Sequence, residues 1–159
     1  MTKIISNPFK ILITIILLLS FFSCSNDDDL SNLNDTIMIR HKNADMPAYI
    51  HGNGSEKVFL VTLHGGPGSI GLGFRNSTFK NKIEKACAVV YFDQRGSGMS
   101  QGNYSENGIS IDIMAEDVLA LVKVLKHKYG ENSRFFLMGH SWGGCLGTAT
   151  LLKNQNDFL

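Results

Sequence analysis

Residues 134–144 read Arg134-Phe135-Phe136-Leu137-Met138-Gly139-His140-Ser141-Trp142-Gly143-Gly144, and this stretch decides the fold. Arg134 to Met138 is the apolar run of a strand covered on both faces. It breaks into the pattern G-x-S-x-G, and the small and apolar residues from Trp142 to about Lys153 continue as a helix. A strand that turns straight into a helix leaves no room for side chains beside the turn, so glycine is needed at 139 and 143. Ser141 is thereby forced into a strained backbone conformation that lifts its hydroxyl out of the sheet. Ser141 is the expected nucleophile, and the N–H of Trp142, first in the helix, is an expected donor to an oxyanion.

Working back along the chain, Ile111, Met114, Val118, Leu121 and Leu125 recur at helical spacing up to Tyr129-Gly130. Asp112, Glu116, Asp117, Lys123 and Lys126 fall on the other faces. Ala88 to Phe92 is a second buried-strand run. It leads into Asp93-Gln94-Arg95-Gly96-Ser97-Gly98-Met99-Ser100, a polar turn where Asp93 and Arg95 are expected to tie loops together. Val58 to Leu63 is a third strand, ending in His64-Gly65-Gly66-Pro67-Gly68. Glycines there let backbone approach a substrate. The N–H of Gly66, or failing it Gly65, is the expected second oxyanion donor, and His64 is expected to structure the loop rather than act as the base. A short helix is predicted from Asn76 or Ser77 to about Lys85. Thr36 to Arg40 and Ala48 to His51 read as two strands joined by a turn near Asn43 to Pro47. Strands alternating with helices after a hairpin predict an α/β domain with a mostly parallel sheet.

Taken together, His-Gly-Gly-Pro-Gly, Asp-Gln-Arg-Gly-x-Gly-x-Ser and Gly-x-Ser-Trp-Gly resemble the prolyl aminopeptidase (proline iminopeptidase) family. The resemblance covers roughly residues 36–154 and implies an α/β-hydrolase fold. It implies attack by Ser141 on an acyl carbon, with Gly66 and Trp142 stabilising the oxyanion. The implied substrates are peptides that lose an N-terminal residue, often proline; relatives with the same motifs cleave other amides and esters.

In this fold an Asp or Glu and then a His follow the serine. Eighteen residues follow Ser141, and all five histidines (His41, His51, His64, His127 and His140) precede it. The His140 side chain is expected to point away at the turn. The expectation is therefore an α/β-hydrolase truncated after the helix that follows the nucleophile, and inactive by itself. Phe135 to Met138 would then form an unpaired apolar edge. The alternative of another class is a non-catalytic surface lipoprotein fragment.

The first residues call for separate treatment. Lys3 and Lys10 precede an apolar run, Ile11 to Phe22, that is shorter than the ~20 residues of a membrane-spanning helix. Phe21-Phe22-Ser23-Cys24 resembles a bacterial lipobox, with Phe21 where Leu is usual. The acidic Ser25-Asn26-Asp27-Asp28-Asp29 is similar to the stretch after the lipidated cysteine of Bacteroidetes-type surface lipoproteins. Residues 1–23 are expected to be a signal peptide, 24–35 a polar tether and 36–159 the hydrolase part. Cys24 would anchor an exported protein to a membrane of the cell envelope.

Composition excludes other classes. The 159 residues are 43% hydrophobic with a formal net charge of +1 and no basic run, which argues against disorder and against nucleic acid as a partner. Cys87 and Cys145 read as small buried hydrophobes, and no metal or other cofactor is expected. Gly66-x-Gly68-x-x-Gly71 does fit the dinucleotide fingerprint, with Asp93 as a ribose acid. Pro67, and a helix that starts too late to meet a phosphate, count against that reading.

Overall fold

The computed structural model describes residues 29–105 and 108–158; the signal-peptide reading of 1–23 and Cys24 lie outside the described residues. Strands β1 (Leu33–His41) and β2 (Ala44–Gly52) form a hairpin, followed by β3 (Val58–Leu63), β4 (Ala88–Phe92), a short β5 (Gln101–Gly102) and β6 (Arg134–Gly139). Helix α1 (Ile111–Tyr129) precedes β6, and α2 (Trp142–Lys153) follows it. The sheet order is β1-β2-β4-β3-β6, with β5 paired to β2. β4, β3 and β6 are mutually parallel in that order, and the hairpin adds antiparallel strands at one side.

The parallel strands are apolar because both faces are covered. Ala88, Val90 and Phe92 join the core with Val118, Leu121, Val122 and Leu125 of α1. Tyr91 points to the other face, where it meets Phe79 at 6.3 Å between ring centres. Phe79 belongs to a helical segment over residues 77–86, π-helical at Phe79–Ile83. The expected N-cap is there: the Asn76 side chain accepts the N–H groups of Thr78 and Phe79.

Several expectations need correction. The hairpin turns on Lys42 and Asn43, both at positive φ, so the reading of Asn43 to Pro47 as the turn is too long. Pro47 lies inside β2 without harm because β4 ends opposite it. The Asp93 N–H donates to the Pro47 carbonyl, and the Asp93 carbonyl, which gets no N–H from proline, accepts the Ser100 hydroxyl. β1 begins at Leu33, inside the stretch read as tether, because backbone pairing with β2 tolerates polar side chains on its exposed face. On α1, Asp117 is buried and Ile111 is 37% exposed, the reverse of the helical-face reading. Cys145 is exposed and Cys87 half-buried, so neither is the fully buried hydrophobe expected. β6 stands at the end of the sheet, as the sequence suggested, with Phe136 49% exposed.

Candidate active site

The chain runs from β3 to β4 on one side of it, and then returns to β6 on the other. Such a reversal opens a crevice at the carboxyl ends of the two strands, where ligands bind in open α/β sheets. Ser141 follows β6 and Gly65-Gly66 follow β3, so the two motifs meet at that crevice.

Ser141 has φ 54° and ψ −120°, a region that non-glycine residues rarely occupy, and it is exposed at the first turn of α2. The flanking glycines are sterically obligatory. A Cβ on Gly139 would overlap the Gly143 carbonyl, and one on Gly143 would overlap the Leu63 carbonyl. That second clash shows how closely α2 starts against the end of β3. A Cβ on Gly65 would come within 3.2 Å of the Ser141 Cβ, so the loop after β3 abuts the serine.

Ser141 lines a cleft of about 310 Å³ with His64, Gly66, Ile70, Phe74 and His140. The His140 ring packs edge-on to Phe74 at 6.3 Å, facing this cleft rather than away from it. The turn spends its strain on the serine, and the residue before it stays at the rim. Among the described residues, no side chain is hydrogen-bonded to the Ser141 hydroxyl. The N–H groups of Gly143 and Gly144 go to the carbonyls of His140 and Ser141, whereas those of Gly66 and Trp142 have no acceptor among the described residues. The Trp142 side chain does not line the cleft; it packs against the core, with its indole nitrogen buried and unpaired.

His64 is buried, with Nδ1 at 3.0 Å from the Gly65 carbonyl and Nε2 facing Gln94 and Ser97. Asp93 ties the loop after β3 to the loop after β4. Its two carboxylate oxygens accept the N–H groups of Gly71 at 2.7 Å and Met99 at 2.8 Å. That carboxylate is therefore committed, and Gly71 opens a 3-10 turn rather than a helix, so the dinucleotide reading fails on both counts. A Cβ on Gly71 would lie 2.8 Å from the Phe92 backbone, which explains that glycine without any ligand. Arg95 is buried against Asp117, and hydrogen bonds to that carboxylate raise the guanidinium pKa further. Sequence reasoning missed Asp117, Gln94 and Ser97. Asp117 broke the polar face of α1 only in three dimensions, while Gln94 and Ser97 sat visibly in the motif without an evident partner.

Residues 54–159 match the family described as serine aminopeptidase, S33. The chain is 38% identical over 101 residues to a proline iminopeptidase of Thermoplasma volcanium, covering 64% of this chain and 32% of that one. It is 36% identical over 96 residues to the lysophosphatidylserine lipase ABHD12 of Danio rerio, covering 60% and 23%. A crystal structure of a proline iminopeptidase-related protein from Thermus thermophilus superposes with a TM-score of 0.66 at 28% identity, over 79% of this chain and 42% of that one. The chain spans about a third of the length of the curated relatives it matches. The motifs, the sheet order and these likenesses converge: the chain is an α/β-hydrolase and belongs to the serine aminopeptidase family S33.

Proposed function

We propose that the chain carries the nucleophile half of a serine aminopeptidase that releases N-terminal proline or a similar residue through an acyl-enzyme. The observation that supports this most is Ser141 at φ 54°, in one cleft with Gly65 and Gly66, which follow β3. In this reading the Ser141 oxygen attacks the acyl carbon, and charge gathers on the former carbonyl oxygen. The free N–H groups of Gly66 and Trp142 take that charge. The carbon–nitrogen bond then breaks, the amine leaves with a proton, and water releases the acyl group. A base must accept the serine proton, and no described histidine bonds to it. The triad Asp and His are therefore proposed to lie outside these 159 residues, which alone should turn over nothing useful. Hydrolysis of a prolyl-aryl amide by a protein that joins this chain to an in-frame Asp and His, lost in Ser141→Ala, is the test. Turnover of esters alone would retain the nucleophile and discard the peptidase.

That ester outcome is the second reading, favoured by the lipase relative and by the apolar Ile70 and Phe74 beside the serine. Separately, we propose a lipid anchor on Cys24, supported by the apolar run before it. Labelled palmitate should enter the wild type and not Cys24→Ser; equal labelling would remove the anchor from the account.

A further inference from the structure

We propose that His64 is a positioning residue that sets the direction of the Gly66 N–H, and that Gln94, braced by Ser97, holds its ring in the tautomer this requires. The inference rests on the reading of Ser141 as nucleophile and Gly66 as oxyanion donor.

A carbonyl can only accept, so His64 Nδ1, 3.0 Å from the Gly65 oxygen, carries the ring proton. A backbone N–H can only donate, so Nε2, 3.3 Å from the Gln94 nitrogen, is the accepting atom. The Ser97 hydroxyl donates to the Gln94 carbonyl at 2.6 Å and braces the backbone that faces Nε2, its own oxygen lying 3.0 Å from that nitrogen. His64 is 1% exposed. Both of its nitrogens are committed, which removes His64 from the candidates for general base.

The consequence falls on the next peptide. In a trans peptide the N–H points opposite to the carbonyl. Fixing the Gly65 oxygen on the His64 ring turns the Gly66 N–H away from the ring. The preceding peptide is fixed too, because the Gln94 side-chain amide donates to the His64 carbonyl at 2.9 Å. Two consecutive peptide planes after β3 are thus tied to the loop after β4. Gly65 and Gly66 have no side chains to hold themselves, and Gly66 has φ +119°. Oxyanion donors work by being oriented before charge develops. The rigidity of this loop must come from outside it, and the His64 ring supplies it.

Equilibrium formation of a boronate adduct needs no general base, so the full chain suffices as the test protein. The Ser141 oxygen adds to the boron of phenylboronic acid, a proton leaves to water, and a tetrahedral anion results. His64→Ala should weaken this binding about tenfold, short of the ~10²–10³ lost when a donor is removed outright. His64→Asn, whose side-chain N–H can still reach the Gly65 carbonyl, should recover most of it. Ser97→Ala should weaken binding at an unchanged melting temperature, and it carries the test if His64→Ala does not fold. Nitrogen-15 NMR should find His64 protonated at Nδ1 and bare at Nε2. An Nε2-protonated ring, or equal affinity in wild type and variants, overturns the proposal. If His64 has the expected tautomer but the wild type forms no adduct, the reading of Ser141 fails and the positioning role falls with it.

Discussion

Arg95 and Asp117 form a two-pronged, fully buried ion pair, with Nε to Oδ2 at 2.8 Å and Nη2 to Oδ1 at 2.7 Å. The remaining guanidinium donors reach the carbonyls of His41 and Lys42, and His41 Nδ1 lies 2.6 Å from the same carboxylate. One arginine after β4 thereby joins the hairpin, α1 and the loop beside the cleft. Breaking such a pair from one side leaves a buried charge alone, so Asp117→Ala should cost about 3–5 kcal/mol in urea unfolding. Arg95→Lys should not restore the wild type, since an ammonium cannot match both carboxylate oxygens.

Gly98, at φ +55°, passes so close to Asp93 that a Cβ there would overlap the carboxylate. Gly98→Ala should therefore cost about 1–3 kcal/mol and loosen the Gly71 and Met99 bonds. Limited proteolysis within residues 66–75 should quicken in this variant. Unchanged cutting would mean that Asp93 is not the staple of that loop.

Stability should fall toward acid pH for two reasons, both at a separate cavity of about 610 Å³ at the amino ends of the parallel strands. Burial, and then Arg75 and Lys80, lower the His51 pKa below its ordinary 6.5. The unfolded chain then binds the extra proton first, and stability drops as pH falls below about 6.5. Burial works against ionising Glu84, but Arg75 and the Tyr91 hydroxyl outweigh it and lower its pKa. Its contribution is present above its ordinary value of 4.5 and is lost as pH falls through the depressed one. His51→Gln should flatten the upper part of this slope and Glu84→Gln the lower part. Glu84→Gln should also cost about 1–2 kcal/mol at neutral pH. Urea midpoints taken across pH 3–8 check both signs.

The end of the sheet makes a prediction about association. Among the described residues β6 pairs only with β3, and it exposes Phe136, while Leu152 of α2 is 83% exposed. An apolar strand edge recruits other chains. Residues 25–159 should associate with rising concentration on size exclusion, and Phe136→Lys should shift them toward monomer. A wild type that stays monomeric would contradict this.

How much of this was legible in the sequence differs by element. α1 and α2 agree with their expected bounds because periodicity and Gly130 mark one, and the serine turn marks the other. β3 and β4 were visible as unbroken apolar runs. The helical segment before β4 was placed by Asn76, though its π-helical turn left no mark in the sequence. Pro47 misled the hairpin reading, because only the pairing partner reveals that its missing N–H faces past the end of β4. Asp117 was illegible for a like reason: a carboxylate on a helix reads as solvated until an arginine from elsewhere is found to meet it. At the site, the glycines and Ser141 were readable as steric necessities. The inward turn of His140 was not, since one dihedral decides it.

Whether Ser141 is the nucleophile is decided by site-resolved covalent labelling. A protein that joins this chain to an in-frame Asp and His, which supply the base that activates the serine, is incubated with a fluorophosphonate, digested, and the adduct located by mass spectrometry, with Ser141→Ala as the control. One phosphonylated site is expected, on the peptide that contains Ser141, absent from the variant. An adduct on another serine, equal labelling of Ser141→Ala, or no adduct in the folded wild type would contradict it.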